Sequence, residues 1–345
     1  MTLRLRPATG ADLGALLDLA RHLDTLNLPV DETYLAARLE RSERSFADPG
    51  QPDAEREYQF VLEDAEGRVV GTSAIISKHG TPGLPHTYLR VEREERVSHA
   101  AGIRKEHVTF RLGACEDGPS ELAALILHPD VRGRPGWPGK LLSWGRYAYI
   151  ARHPGAFEDR LIAEMRASFD AEGRSAFWES FGRHFTGMSY QEADRRSATR
   201  KQFILDLFPE TRFYATLLEP EVAAQLGRVH PEARPAVRLL EQAGFHWTGE
   251  IDPFDAGPFF GAATRDVIPI QETLRDVVAE EGSDEQAPPW IASVEDATGF
   301  RAVATRAVLE ADCARLPKEA LDKLDISEGG SVALTPLPAS ARSRG

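Results

Sequence analysis

Six consecutive apolar residues, Leu122-Ala123-Ala124-Leu125-Ile126-Leu127, run directly into His128-Pro129-Asp130-Val131-Arg132-Gly133. A strand without a polar face cannot sit half-solvated, so this run predicts a central strand with both faces covered. It is far shorter than the roughly 20 residues needed to cross a bilayer as a helix. Behind it comes a turn, Arg132-Gly133-Arg134-Pro135-Gly136-Trp137-Pro138-Gly139, and then 139–152, where Leu141, Leu142, Trp144, Tyr147 and Ile150 recur at helical spacing before His153-Pro154-Gly155 ends the helix. Buried strand, glycine turn and helix start bring backbone N–H groups and a positive helix end to one place, which suits a pyrophosphate. Arg132, Arg134 and Lys140 add positive charge there. Any tight turn also favours Gly and Pro, so the loop alone is a weak signal.

The remaining counts exclude more than they name. With 345 residues, 42% of them hydrophobic, the chain can bury a large core, and one large domain plus an appendage is expected. The 41 Lys and Arg face 54 Asp and Glu, a net charge of −13 that argues against nucleic acid or a membrane surface as partner. Cys115 and Cys313 lack CxxC or Cys/His companions, so neither a metal site nor a disulfide framework is indicated, and a reducing cytoplasm fits. Met1 to Pro7 alternates like a strand and lacks a signal-peptide core, so export is not expected.

Along the chain, a capping pattern at Thr9-Gly10-Ala11-Asp12 opens a helix carrying Leu13, Leu16, Leu17 and Ala20, and a second helix is predicted over 31–46. Residues 58–63 and 68–76 form a hairpin about Asp64-Ala65-Glu66-Gly67. From 78 to 116 the chain reads as charged and irregular, with 107–112 as its clearest strand. A strand over 160–166, an aromatic helix over 175–185 and a helix over 231–243 follow. From Ala279 to Pro289 the acidic, small-residue run Glu280-Glu281-Gly282-Ser283-Asp284-Glu285-Gln286 reads as a linker, dividing an N-terminal domain, 1–280 with an insertion near 174–229, from a small β-rich unit, 281–345.

The order of elements and the loop after the apolar strand resemble the GNAT-type N-acetyltransferase superfamily, with Ala236 to Phe245 resembling its closing helix and Gly-Phe turn. More narrowly, the chain is similar to the arginine N-succinyltransferase family over about residues 1 to 270. The matching segments are Ser120-Glu121-Leu122, Leu127-His128-Pro129-Asp130, Ile162-Ala163-Glu164-Met165-Arg166, Phe177-Trp178-Glu179-Ser180, Gly227-Arg228-Val229-His230-Pro231 and Phe254-Asp255-Ala256-Gly257-Pro258. The resemblance implies an α+β fold: a mixed, mostly antiparallel sheet flanked by helices, with a small C-terminal β-rich appendage. It implies succinyl transfer from succinyl-CoA to the α-amine of arginine in a ternary complex, in arginine catabolism, without a metal. It further implies His230 as proton donor and Leu125 as a contact of succinyl-CoA. The loop residues Arg132, Gly133, Arg134, Gly136, Gly139 and Lys140 complete the expected cofactor site, and a homo-oligomer is expected.

The physics of both carried-over positions is sound. A splayed central strand can present backbone N–H near Leu125 to the oxygen that gains charge during acyl transfer. His230 stands at the start of the 231–243 helix, where a positive helix end favours neutral imidazole. Glu164, Asp252 and Asp255 are candidate partners for a guanidinium, although acids are abundant, and Glu164 and Arg166 would share one face of a regular strand. Three segments depart from the family pattern: 22–29, 114–119 and 132–139. Another amine such as ornithine, another acyl-CoA, or a non-catalytic acyl-CoA sensor therefore stand as alternatives.

Overall fold

The structure, a computed structural model, describes residues 3–21, 30–170, 173–197, 201–311 and 313–338. In chain order its strands are β1 (Arg4–Pro7), β2 (Glu57–Glu63), β3 (Val69–Ile76), β4 (His86–Ser98), β5 (Ile103–Cys115), β6 (Ser120–Leu127), β7 (Arg160–Glu164) and β8 (Phe213–Tyr214). They continue as β9 (His246–Ile251), β10 (Pro258–Ala263), β11 (Leu274–Glu281), β12 (Pro289–Asp296), β13 (Gly299–Arg306), β14 (Val308–Leu309), β15 (Cys313–Leu316) and β16 (Ser331–Pro336). All join one sheet, ordered β14-β15-β11-β16-β12-β13-β1-β2-β3-β6-β7-β10-β9-β4-β5-β8. Among the described residues only β6–β7 and β11–β15 pair in parallel, so the sheet is mixed and mostly antiparallel.

The apolar run is central, as its composition demands. On one face α1 (Leu13–Arg21) and α2 (Glu32–Ala47) pack Leu16, Leu19, Leu35 and Leu39 against Val61 and Ile126. On the other, α3 (Pro138–Arg152) packs with Tyr58, Phe60 and Leu122, and Leu125 and Leu127 face the same core. Leu122 and Leu125 can share a face only because the strand slips by one residue between them. The ladder passes from Ala74↔Ala123 to Thr72↔Ile126, so Ala124 and Leu125 stand opposite Ser73 alone, and Ala124 takes φ +49°. Such a bulge reverses the parity of every later side chain, which an amphipathic strand could not tolerate and an all-apolar one can.

Helix α3 is buried from Leu141 through Ala151. Gly145 allows its backbone to lie against Leu5, where a Cβ would collide with that side chain. At its far end Arg152 donates to the Ser293 carbonyl at 2.6 Å and His153 lies 2.7 Å from Glu295, tying the helix to β12.

Three expectations are corrected. The segment expected to be irregular from 78 to 116 contains β4 and β5, paired over thirteen residues from His86↔Cys115 to Ser98↔Ile103. Its outer half carries charge on both faces, so no apolar alternation marks it, and cross-strand ion pairs such as Arg93–Glu106 at 2.5 Å join the two strands there. The aromatic helix over 175–185 is two short helices, Ala176–Ser180 and Gly182–Thr186, broken at Phe181 with φ −132°. The linker begins too early: residues 279–281 lie in β11, which pairs with β15 and β16, and the boundary placed at 280/281 falls at the end of that strand. The C-terminal strands also continue the main sheet through Leu5↔Ala302, with Phe300 and Ile291 in the principal core.

The stretch 174–229 contributes short helices whose Phe177, Trp178, Phe181 and Phe208 pack with Leu89 and Phe110 of the β4–β5 hairpin. Among the described residues no helix is long and apolar enough to cross a membrane. Residues 22–29, the first departure from the family pattern, lie outside the described residues.

Candidate active site

Two adjacent strands part to create the site. β6 and β7 are paired only at Ser120↔Leu161 and Glu121↔Ile162. Beyond that point β7 stays with β10, while β6 stays with β3. A V opens between them, one arm carrying the Ala124–Leu125 bulge and the other ending at Glu164. Leu125 is half-buried against the main core, so its side chain is structural, and the backbone of the bulge is the part released from the ladder. Left-handed backbone at a non-glycine residue costs about 1 kcal/mol or more, and such strain concentrates at functional sites.

The β6 arm delivers the chain to the glycine turn. The His128 N–H bonds to the Val70 carbonyl at 2.8 Å, and Pro129 to Val131 make one 3-10 turn. Gly133 (φ +73°) and Gly136 (φ +93°) then supply the left-handed conformations that fold the loop back to α3. Trp137 caps that helix with φ +55° and no side-chain bond, and Pro138 occupies its first turn. The end of α3 therefore meets the loop with its first N–H groups uncapped by a side chain. Arg132 is exposed, with Nε on the Leu127 carbonyl at 3.2 Å, and Arg134 is exposed. Gly139 lies half-buried at the helix start. Lys140 is turned elsewhere: its Nζ donates to the Pro338 carbonyl at 2.7 Å, and burial draws its pKa down.

The β7 arm carries His230. Its N–H donates to the Arg166 carbonyl at 2.9 Å, which fastens the residue just beyond the end of β7. Pro231 to Ala233 form a 3-10 turn ahead of the helix Arg234–Gln242. The His230 Nδ1 accepts the Glu232 N–H at 3.2 Å, so a neutral ring holds its proton on Nε2. The half-buried ring thus has one nitrogen committed to the turn and one available for chemistry.

The end of the same arm is acidic. Glu164, Asp252 and Asp255 place carboxylate oxygens within 4.8 Å of one another. Asp252 accepts N–H bonds from Phe254 at 2.7 Å and Asp255 at 3.1 Å, while Asp255 accepts from Gly257 at 2.6 Å and Ala167 at 3.3 Å. Burial and the neighbouring Asp252 and Asp255 raise Glu164 well above the usual carboxylate range. Burial, then Asp252, pushes Asp255 up to about 7, and burial raises Asp252 despite its backbone donors. Such crowding calls for a cation, and a guanidinium or a compact metal ion would each suit it. Arg166 makes no ion pair with Glu164 among the described residues, because β7 ends at Glu164 and the alternation expected through 166 stops there.

Several site groups escaped the sequence. Asp194, raised to about 6 by burial and then Asp252, and Lys201 both belong to the electrostatic neighbourhood of the trio. Glu121, the last β6 residue paired to β7, lies 2.5 Å from His79. His79 and Lys201 are distant in sequence and carry no local pattern, so only the fold unites them with the V.

A seven-strand core β1-β2-β3-β6-β7-β10-β9, parted at β6–β7, bulged on one arm and followed by a glycine turn and helix, is the arrangement that the resemblance to GNAT-type acyltransferases leads one to expect. A family model described as AstA, arginine N-succinyltransferase beta subunit, matches residues 3–269, and the chain belongs to that family. It is 38% identical over 344 residues to arginine N-succinyltransferase subunit beta of Pseudomonas aeruginosa, covering 98% of this chain and 99% of that one. Against arginine N-succinyltransferase of Yersinia pseudotuberculosis the identity is 34% over 349 residues, covering 97% and 98%. The solved structure of arginine/ornithine succinyltransferase subunit AI from Pseudomonas aeruginosa superposes with a TM-score of 0.82 at 30% identity, covering 98% and 99%.

Proposed function

We propose that this acyltransferase moves the succinyl group of succinyl-CoA to the α-amine of arginine by direct attack in a ternary complex. The carrying observation is that one V-shaped opening has a bulged backbone on one arm and, on the other, three crowded carboxylates at the strand's end and a histidine fixed just beyond it. In this reading, the glycine turn with Arg132, Gly133, Arg134, Gly136 and Gly139 takes the pyrophosphate, and the thioester carbonyl lies at the Leu125 backbone. Lys140 would join the turn only on release from Pro338.

The amine nitrogen attacks the thioester carbon, and the carbonyl oxygen gains charge beside the bulge. The C–S bond then breaks with its electron pair on sulphur, and one amine proton ends on that sulphur. We assign that transfer to His230: with the ring in its Nδ1–H form, released from the Glu232 N–H, Nε2 takes the amine proton and then gives it to the sulphur, and no covalent enzyme intermediate is needed. Glu164, Asp252 and Asp255 hold the guanidinium, whose charge replaces the protons that burial otherwise keeps on them.

Two half-exposed free cysteines, Cys115 and Cys313, fit a reducing cytoplasm. The Pseudomonas relative is named a subunit, and we place this chain in an oligomer, testable by its native mass.

The deciding assay measures thiol release from succinyl-CoA and acetyl-CoA against arginine, ornithine and a polyamine. Arginine with succinyl-CoA should give the highest kcat/KM. Higher kcat/KM with ornithine would overturn the acceptor while retaining the reaction, and tight acyl-CoA binding without turnover would leave a sensor.

A further inference from the structure

The described residues include three deeply buried arginines, and two of them are neutralised. Arg38 is paired with Glu57, and Arg301 with Asp296 at 2.7 Å. Arg146, only 2% exposed in the middle of α3, has no carboxylate within 4.0 Å among the described residues. Its Nε and one terminal nitrogen reach the Ser143 carbonyl at 3.2 Å and hydroxyl at 3.4 Å, and its other terminal nitrogen reaches the Ala123 carbonyl at 3.4 Å. A guanidinium has five N–H groups, so two remain unused. Burial pulls this arginine down to about 10, against the weaker support of Tyr147 and Glu121, and Glu121 is already held by His79. A buried cation without a counter-ion is costly, so an anion brought to this guanidinium would meet both its charge and its unused N–H groups.

Its position selects the anion. Ala123 is the residue immediately before the Ala124–Leu125 bulge, where the thioester carbonyl lies in the proposed complex. Two strand residues span about 7 Å, close to the reach of a four-carbon diacid from its thioester carbonyl to a hydrogen-bonding partner. We infer that Arg146 is the receptor for the free carboxylate of the succinyl group, and that it sets the preference for a dicarboxylic acyl donor over a monocarboxylic one of equal length. This rests on succinyl-CoA as donor.

The test compares succinyl-CoA with butyryl-CoA, which has the same chain length and a methyl in place of the carboxylate. Calorimetric Kd values, taken without acceptor, separate donor recognition from turnover. Wild-type protein should bind succinyl-CoA at least about tenfold more tightly, and Arg146→Met should erase a preference of about tenfold to a hundredfold, the scale of a charge-assisted hydrogen bond. Arg146→Lys, which keeps the charge and loses the fork, should retain an intermediate preference. Equal wild-type affinity for the two donors overturns the inference without any variant. An Arg146→Met protein that loses affinity for both donors equally, with a lowered Tm, assigns the arginine to structure alone. Succinyl-CoA bound with the expected preference but transferred to no amine would refute the enzymatic reading and leave this one standing.

Discussion

Two turns of nearly identical construction stand at the ends of the two arms of the V. His128-Pro129-Asp130 and His230-Pro231-Glu232 share φ −53° at the histidine, ψ of 135° and 138°, a 3-10 turn behind it, and an Nδ1 that accepts the N–H two residues on at 3.2 Å. Their surroundings are opposite. The first leads into Arg132, Gly133 and Arg134, the second hangs from Arg166 beyond Glu164. Proline fixes the turn and the side-chain cap steadies it, yet neither confers chemistry. In the proposed function the charge at each end of the V separates their roles: one turn leads into the loop assigned to the pyrophosphate, and the other holds the proposed proton carrier beside the carboxylates assigned to the guanidinium.

The sharpest break of that symmetry is His230→Ala. Loss of a general acid or base should lower kcat roughly a hundredfold, with acyl-CoA affinity little altered. Stopped-flow thiol release and a direct acyl-CoA titration would show it. An unchanged kcat would remove His230 from proton transfer and make the two turns functional equals.

A smaller effect, with two signs, separates the acidic end. Glu164→Gln should raise KM for arginine by about tenfold or more, since a charge-assisted contact is lost. The same change should raise the Tm of the free protein at pH 8, because one of three crowded carboxylates no longer has to ionise. The linkage has a definite direction. A carboxyl whose folded pKa is raised, as Asp255 is to about 7, stabilises the fold fully below its unfolded pKa and loses that contribution as pH rises through the folded value. The arginine-free protein should therefore weaken between about pH 4 and 7, while arginine affinity strengthens up to and just above pH 7. Arginine affinity independent of pH across 6 to 8 would argue that the trio does not receive the guanidinium.

What was legible in the sequence follows one division. The apolar run, the glycine turn, α3 and the first hairpin announce themselves because each buries a local pattern against the core. The β4–β5 hairpin and β11 do not, because their exposed, charged residues carry no period and their order comes from backbone pairing with distant strands. Residues 280–285 looked like a linker for the same reason, although Glu280 and Glu281 are paired with Arg315 and Leu316. In the site, His230 and Leu125 came through resemblance, and Glu164 and Asp255 through their segments. The meeting of Glu164 with Asp252 and Asp255 is a contact across nearly ninety positions, which no spacing rule reports. Arg146 did leave a trace: the one charged residue between Leu141 and Ala151, a stretch otherwise almost wholly apolar, is out of place unless something answers it.

The smallest effect belongs to the first turn. His128→Ala removes the bond from its ring to the Asp130 N–H, and such a cap is worth about 1 kcal/mol. The His128 main chain, anchored to Val70, is unaffected, so the turn should persist with a less rigid entry to the loop. A Tm lowered by a few degrees, a few-fold higher Kd for acyl-CoA and a kcat near wild type are the expected outcome. A kcat loss as large as that of His230→Ala would mean that the two ends of the V share the proton chemistry, and that the acidic surroundings of one turn are not what assigns its role.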